Sequence, residues 1–111
     1  MLFSFALEHT IAGVLLQKNE KNEEQPISFY NKALRDSTLK YNIMEKHAYA
    51  CVKEIKEFRV YILHSHSIVF VPFATIKDML TQAELDGRRA KWIATLLEYD
   101  VEIRPTKLVK G

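Results

Sequence analysis

The side chains that could support chemistry in this sequence are few and widely separated. It has 4 histidines and 1 cysteine, and no serine–histidine–aspartate, cysteine–histidine or glycine-rich phosphate-loop arrangement is found. His64 and His66 lie two residues apart, a spacing that can chelate a transition metal but most often has no binding role. Cys51 has no partner for an internal disulfide, and its place on an apolar stripe is typical of a small core residue.

The composition is that of one small globular domain. The chain has 111 residues, of which 48% are hydrophobic and 27% charged, with a net charge of +2. These values fit a packed core of moderate size, and so small a charge does not by itself indicate nucleic-acid binding. No apolar run is long enough to span a bilayer, and the apolar start Met1–Leu7 lacks the features of a secretory signal. We therefore expect no membrane partner.

Short apolar segments predict five strands. They cover residues 2–7, 11–17, 26–30, 67–71 and 101–104. The first three lie close together in the sequence and are expected to form an antiparallel meander. Gly13, inside the second strand, indicates a bulge or a close backbone approach. Pro72 is expected to end the fourth strand, because proline has no N–H to donate to the ladder.

The strongest helical pattern follows Asn42 and Glu45, which have the spacing of a capping box. Its apolar residues, at steps of four and three, are Met44, Ala48, Cys51, Ile55, Phe58 and Ile62. The polar face is assigned Lys46, Lys53, Glu54, Lys56, Glu57 and Arg59. A short helix is predicted over residues 74–81, and a longer one over 87–99 with Asp86 as its N-cap. This order of elements predicts an α/β fold, a mixed sheet with helices packed on it.

Short motifs run through these elements in a characteristic order. They are Thr10–Leu15, Gln25–Ile27, Phe29–Tyr30, Leu39–Asn42, Glu45–Lys46, Phe58–Tyr61, Gly87–Trp92, Glu98–Val101 and Arg104–Pro105. With these motifs the sequence resembles the ribonuclease H-like domain of gypsy-type (metavirus-like) retrotransposon Pol polyproteins. The similarity is greatest to plant elements, in which this domain is commonly degenerate. It implies that residues 1–111 are a single domain taken from a larger Pol polyprotein with reverse transcriptase activity.

The resemblance also implies a fold and a chemistry. The expected fold is a mixed sheet of about five strands with helices on both faces, and the family's C-terminal helix would lie beyond Gly111. In active relatives four carboxylates bind two divalent metals, which stabilise the attacking water and the leaving oxygen of a phosphodiester. Such hard cations require Asp and Glu oxygens.

Three of the family's carboxylate positions hold other residues here. Aligned through Ile11–Leu15, they are occupied by Phe5, His47 and Pro72. Phenylalanine and proline offer no side-chain ligand atom, and one imidazole does not replace a carboxylate cage for magnesium. We therefore expect no catalytic residue, no metal and no cofactor, with Mg²⁺ needed only if the chain is an active nuclease. His47 is expected to be a polar surface residue, a relic of the former site.

Other carboxylates are poor substitutes for the missing ones. Glu45 lies two residues from His47, so it is expected on roughly the opposite side of the helix, where capping accounts for it. Glu8 falls in the first turn and Asp78 in the short helix, and neither is expected at a strand end facing the centre.

Basic residues are the remaining candidates for contact with a nucleic acid. They are Lys53, Lys56, Arg59, Arg88, Arg89 and Lys91. They could hold a duplex through its phosphates without reading bases, although each is also an ordinary solvated residue. Trp92 could stack on a nucleotide, but a core or interface position is expected.

The resemblance, together with the missing carboxylates, implies a non-catalytic connection or tether domain that positions polymerase and nuclease domains on template–primer. Its partners would be other Pol domains and either an RNA–DNA hybrid or a DNA duplex, inside the cell in a cytoplasmic virus-like particle or the nucleus. One alternative is an active metal-dependent ribonuclease H that cleaves RNA in hybrids. Another is a captured fragment acting as a protein-interaction module, which an exposed edge strand or apolar patch would favour.

Overall fold

The N-terminal apolar segments fold into an antiparallel meander, to which two parallel strands are added. The structure, a computed structural model, describes residues 1–62, 66–81 and 87–106. The strands are β1 Leu2–Ala6, β2 Thr10–Lys18, β3 Glu24–Ala33, β4 Ser67–Val71 and β5 Val101–Pro105. They form one five-stranded sheet in the order β3-β2-β1-β4-β5. The β1–β2 and β2–β3 pairs are antiparallel, and the β1–β4 and β4–β5 pairs are parallel, which confirms the predicted mixed sheet.

The helices follow the sequence pattern with one interruption. They are α1 Ile43–Glu57, α2 Arg59–Ile62, α3 Ala74–Thr81 and α4 Gly87–Leu96, with a 3-10 helix at Asp36–Lys40. The Asn42 side chain caps α1 as predicted, accepting the N–H of Glu45 at 2.8 Å. The prediction of one continuous helix to Ile62 is wrong, because Phe58 leaves the helical conformation. Phe58 and Ile62 both remain buried, and the apolar pattern therefore could not reveal the break.

The boundaries of the later elements are close to those predicted. Helix α3 and strand β4 have the predicted bounds, whereas α4 ends at Leu96 rather than Tyr99. Asp86, the predicted N-cap of α4, lies outside the described residues, and so does His64. No helix in the described ranges is long and apolar enough to cross a membrane.

The described helices pack on one face of the sheet. Inward residues of the strands, such as Leu2, Leu15 and Val69, share a buried cluster with residues of α1, α3 and α4. Right-handed crossovers explain this arrangement, because β3 to β4 and β4 to β5 both join parallel strands and advance in the same direction. The expectation of helices on both faces is therefore not met by the described residues.

The other face of the sheet carries aromatic side chains. The rings of Phe3 on β1 and Phe70 on β4 stack with centroids 4.8 Å apart. Phe29, on the edge strand β3, is 71% exposed. Since successive residues of a strand point to opposite faces, these side chains lie away from the buried cluster and leave an apolar surface open.

The candidate active-site centre

The three positions at which the resemblance predicts the carboxylates of an active nuclease lie around the ends of β1 and β4 and the start of α1. His47, in the second turn of α1, accepts a hydrogen bond through Nδ1 from the main-chain N–H of Ala6, at 2.8 Å. Its ring packs edge-on against Phe73, with centroids 5.8 Å apart. Phe5 precedes Ala6 and Pro72 precedes Phe73, so the fold brings all three predicted positions into one region.

The hydrogen bond to Ala6 determines the protonation of His47. A neutral imidazole has one nitrogen lone pair available as an acceptor, and Nδ1 uses it for the Ala6 N–H. The proton of the neutral ring is therefore on Nε2. Burial lowers the pKa of His47 below its ordinary value, which favours this neutral form. Coordination of a metal through Nε2 would require the proton to move to Nδ1 and the Ala6 bond to break.

His47 is a structural residue of the interior. Only 6% of its surface is exposed, so the expectation of a polar surface residue is wrong. The sequence assigned this position to solvent because the residue type is polar and the family's metal centre is open. In the folded chain its acceptor satisfies a main-chain donor at the end of β1.

Phe5 and Pro72 supply no chemistry to the centre. Phe5 is 37% exposed, and strand alternation points its ring away from the face that Ala6 shares with α1. Pro72 follows the last residue of β4, whose carbonyl oxygen, on Val71, accepts the N–H of Thr106 at 2.8 Å. Neither side chain has an atom that can hold a divalent cation.

The carboxylates considered as substitutes have other positions or partners. The carboxylate of Glu45 pairs with the guanidinium of Arg88. Only the main-chain N–H of Glu45 takes part in the cap, by donating to Asn42, so the predicted capping role of its side chain is wrong. Glu8 is exposed in the turn after β1. Asp78 lines a groove between the start of α1 and α3. Within the described part of the chain, no three His, Cys, Asp or Glu side chains form a metal-binding group, so these residues do not fit a two-metal centre.

One acidic residue with an unusual environment was missed by the sequence reasoning. Glu54 was assigned to the polar face of α1, yet its exposure is 0%. It lies three residues after Cys51, which is the spacing of the apolar stripe itself, and this signal could have identified it. Lys46 was also assigned to the polar face and is buried, and its Nζ donates to the main-chain oxygen of Glu8 at 2.5 Å.

The candidate nucleic-acid contacts fall into two groups. Lys53 and Lys56 lie three residues apart on the outward side of α1, and Arg59 follows in α2. No ion pair holds these three among the described residues. The second group, Arg88, Arg89 and Lys91, belongs to α4.

Arg88 is already engaged within the protein. Besides its pair with Glu45, its guanidinium lies over the ring of Tyr41, 4.1 Å from the centroid. Trp92, one turn further along α4, is 8% exposed. Its ring contacts Tyr41 edge-on and Tyr49 at a tilt, with centroids 6.0 and 6.4 Å away. The expected core position of Trp92 is confirmed, and its faces are not available to a nucleotide.

The mixed five-stranded sheet in the order β3-β2-β1-β4-β5, with α1 packed across it, is consistent with a ribonuclease H-like architecture. Residues 1–99 match the model of the RNase H-like domain found in reverse transcriptase, and the chain belongs to that family.

Relatives with this domain include the Transposon Tf2-3 and Tf2-4 polyproteins of Schizosaccharomyces pombe. Each is 23% identical over 111 residues, an alignment that covers 93% of this chain and 8% of the polyprotein. The chain thus spans less than a tenth of the length of these relatives. The predicted relationship to retrotransposon reverse transcriptase is confirmed, while the gypsy-type and plant assignments stay predictions.

Proposed function

We propose that this chain is a non-catalytic connection or tether domain of a retrotransposon reverse transcriptase. It would hold the polymerase and nuclease domains in register on template–primer. The observation that carries the proposal is the hydrogen bond between His47 Nδ1 and the Ala6 N–H. At a position where catalysis needs a carboxylate free to bind metal, the side chain is committed to the main chain of β1.

The contacts of His47 also support the proposal, because they would hold elements of the domain together without metal ions. In a two-metal nuclease, cations bridge carboxylates that come from different elements. Here one imidazole contacts β1 through Ala6 and the segment after β4 through Phe73. A domain used for positioning requires this rigidity and does not require the carboxylates, which repel each other when no metal is bound.

The outward side of α1 is the best surface for a template–primer duplex. Lys56 and Arg59 are exposed and Lys53 is half-buried, and none has an ion-pair partner among the described residues. Phosphate contacts made by such residues hold a duplex without base specificity and weaken as salt rises. Other domains of the polyprotein would then supply the polymerase and nuclease activities.

The test is incubation of a labelled RNA–DNA hybrid with the purified chain, first with Mg²⁺ and then with Mn²⁺. Fluorescence polarisation is read in the same samples, and an active ribonuclease H serves as the positive control. We expect an intact hybrid and binding that weakens with salt. Cleavage that a chelator abolishes would overturn the non-catalytic assignment.

Matched variants test which surface binds. Changing Lys53 and Lys56 to glutamine should lower the slope of log affinity against log salt by about 2. Changing Lys32 on β3 and Lys40 in the 3-10 helix, which are both exposed and lie outside α1, removes the same charge and should alter the slope much less. Equal effects of the two pairs would mean that only net charge matters.

A protein-interaction module is the second candidate, and one observation favours it. The edge strand β3 is exposed along most of its length, with Phe29 71% exposed. An open edge with an apolar side chain can pair with a strand of another protein. An intact hybrid with no binding at low salt would shift the assignment to this function.

A further inference from the structure

The contact between α1 and the sheet contains a carboxyl group with no partner. Glu54 has 0% exposure, and neither of its oxygens has a hydrogen-bond partner among the described residues. The hydroxyl oxygen of Ser4, on β1, is also buried without a partner. An ionised carboxylate in such surroundings is strongly disfavoured, because burial without a countercharge removes its hydration.

Gly13 on β2 provides the space for this carboxyl. A Cβ placed on Gly13 would overlap Oε1 of Glu54 and lie 2.7 Å from its Cδ. The close approach expected at Gly13 is thus confirmed, although the approaching group is a side chain of α1 and not backbone. The alternative of a bulge at Gly13 is not observed, because the register shift of β2 lies at Leu15/Leu16. The fit shows that Glu54 is an integral part of the helix–sheet packing.

The groups that surround Glu54 do not neutralise its charge. Tyr30, on β3, and Cys51, on α1, are titratable groups whose pKa values Glu54 affects. Burial is the main cause that raises both pKa values; Glu57, Tyr49 and then Glu54 also raise that of Tyr30, and Glu54 also raises that of Cys51. Ser4 and Gly13 carry no charge, and no described Lys, Arg or His lies within ion-pair distance of the carboxyl. Tyr30 and Cys51 therefore stay neutral over the pH range in which Glu54 titrates.

We propose that Glu54 is a proton-dependent lock between α1 and the sheet: the helix packs on β1 and β2 only while this carboxyl is protonated. Loss of the proton would place an unpaired charge against Gly13 and Ser4, and the helix would separate from the sheet to hydrate it. The domain is thereby loosened as the pH rises, independently of whether it binds nucleic acid.

The direction of the pH effect follows from the two protonation states. Burial raises the pKa of Glu54 from its ordinary value of 4.5 to about 9. The folded chain therefore binds one more proton than the unfolded chain between these values. The contribution of Glu54 to the free energy of unfolding is therefore full below pH 4.5 and is lost as the pH rises towards 9. Within this window the unfolding constant should rise by about tenfold per pH unit.

The experiment compares urea unfolding of the wild type and Glu54→Gln across this pH range. Glutamine has the shape of the protonated acid and cannot ionise, so dividing the unfolding constant of the wild type by that of Glu54→Gln isolates the effect of Glu54. This ratio should rise with pH. The same ratio for Glu57→Gln, an exposed change on the same helix, should stay nearly constant. Parallel pH profiles for wild type and Glu54→Gln would overturn the proposal.

Infrared spectroscopy tests the protonation state even if the glutamine variant folds poorly. The folded wild type at neutral pH should show the carbonyl stretch of a protonated carboxylic acid. That band should persist after exchange into buffered heavy water and disappear on unfolding. A folded wild type that lacks the band at neutral pH would also overturn the proposal.

Discussion

The imidazole of His47 accepts the main-chain N–H of Ala6 through Nδ1 at 2.8 Å. This bond joins the start of α1 to the end of β1, at one of the positions where the resemblance to ribonuclease H-like domains predicts a carboxylate. The side chain of His47 is therefore part of the internal hydrogen bonding of the domain, and its replacement should change the stability of the fold.

Replacing His47 with alanine should lower the free energy of unfolding. The change leaves the Ala6 N–H without its acceptor in a buried place, which costs about 1–3 kcal/mol. Urea unfolding measures this difference. The control is His9→Ala, since His9 is exposed in the turn after β1 and its replacement should stay within about 0.5 kcal/mol. Equal effects at the two positions would contradict a structural role for His47.

The pH dependence of unfolding below neutrality should depend on His47. Burial lowers its pKa in the folded chain from the ordinary value of 6.5. The folded state then binds fewer protons than the unfolded state, so this contribution is full above pH 6.5 and declines as the pH falls below it. The ratio of unfolding constants of His47→Ala and wild type should therefore decrease on acidification. A ratio that does not change between neutral and mildly acidic pH would contradict this prediction.

The close fit of Gly13 to Glu54 predicts coupling between the two residues. Gly13→Ala should destabilise the wild type by about 1–3 kcal/mol, because the added methyl overpacks the contact. In a Glu54→Ala background the methyl has room, so the same change should cost much less. A double-mutant cycle in urea should give a coupling energy of about 0.5–3 kcal/mol. Additive effects would mean that the two side chains do not compete for the same space.

Arg88 should contribute to folding more than to nucleic-acid binding. Its contacts with Glu45 and the Tyr41 ring predict a loss of about 1 kcal/mol on replacement by alanine, the sum of an exposed ion pair and a cation–π contact. Thermal unfolding and hybrid polarisation should be measured on the same preparation. If Arg88→Ala lowered the affinity for the hybrid more than the double variant Lys53→Gln/Lys56→Gln does, Arg88 would be part of the binding surface after all.

The strands and helices that could be predicted from the sequence are those with a clear apolar periodicity. Strand β4 and helix α3 were bounded correctly because Ser67–Val71 and Ala74–Thr81 are flanked by residues that end such elements, Pro72 among them. The break at Phe58 was not predictable, since Phe58 and Ile62 keep the same buried side. Glu54 was misplaced because a charged residue is rarely buried without a partner.

The sequence by itself determined the family, the order of strands and helices, and the absence of carboxylates at positions 5, 47 and 72. Residue types and their spacing along the chain carry this information, because it depends on local periodicity and on which side chains have ligand atoms. Only the tertiary structure decided that His47 binds Ala6, that Arg88 is held by Glu45, and that Glu54 fills the space above Gly13. These contacts join residues 41 to 43 positions apart in the sequence, and they depend on how helices are seated on the sheet, which no local pattern encodes.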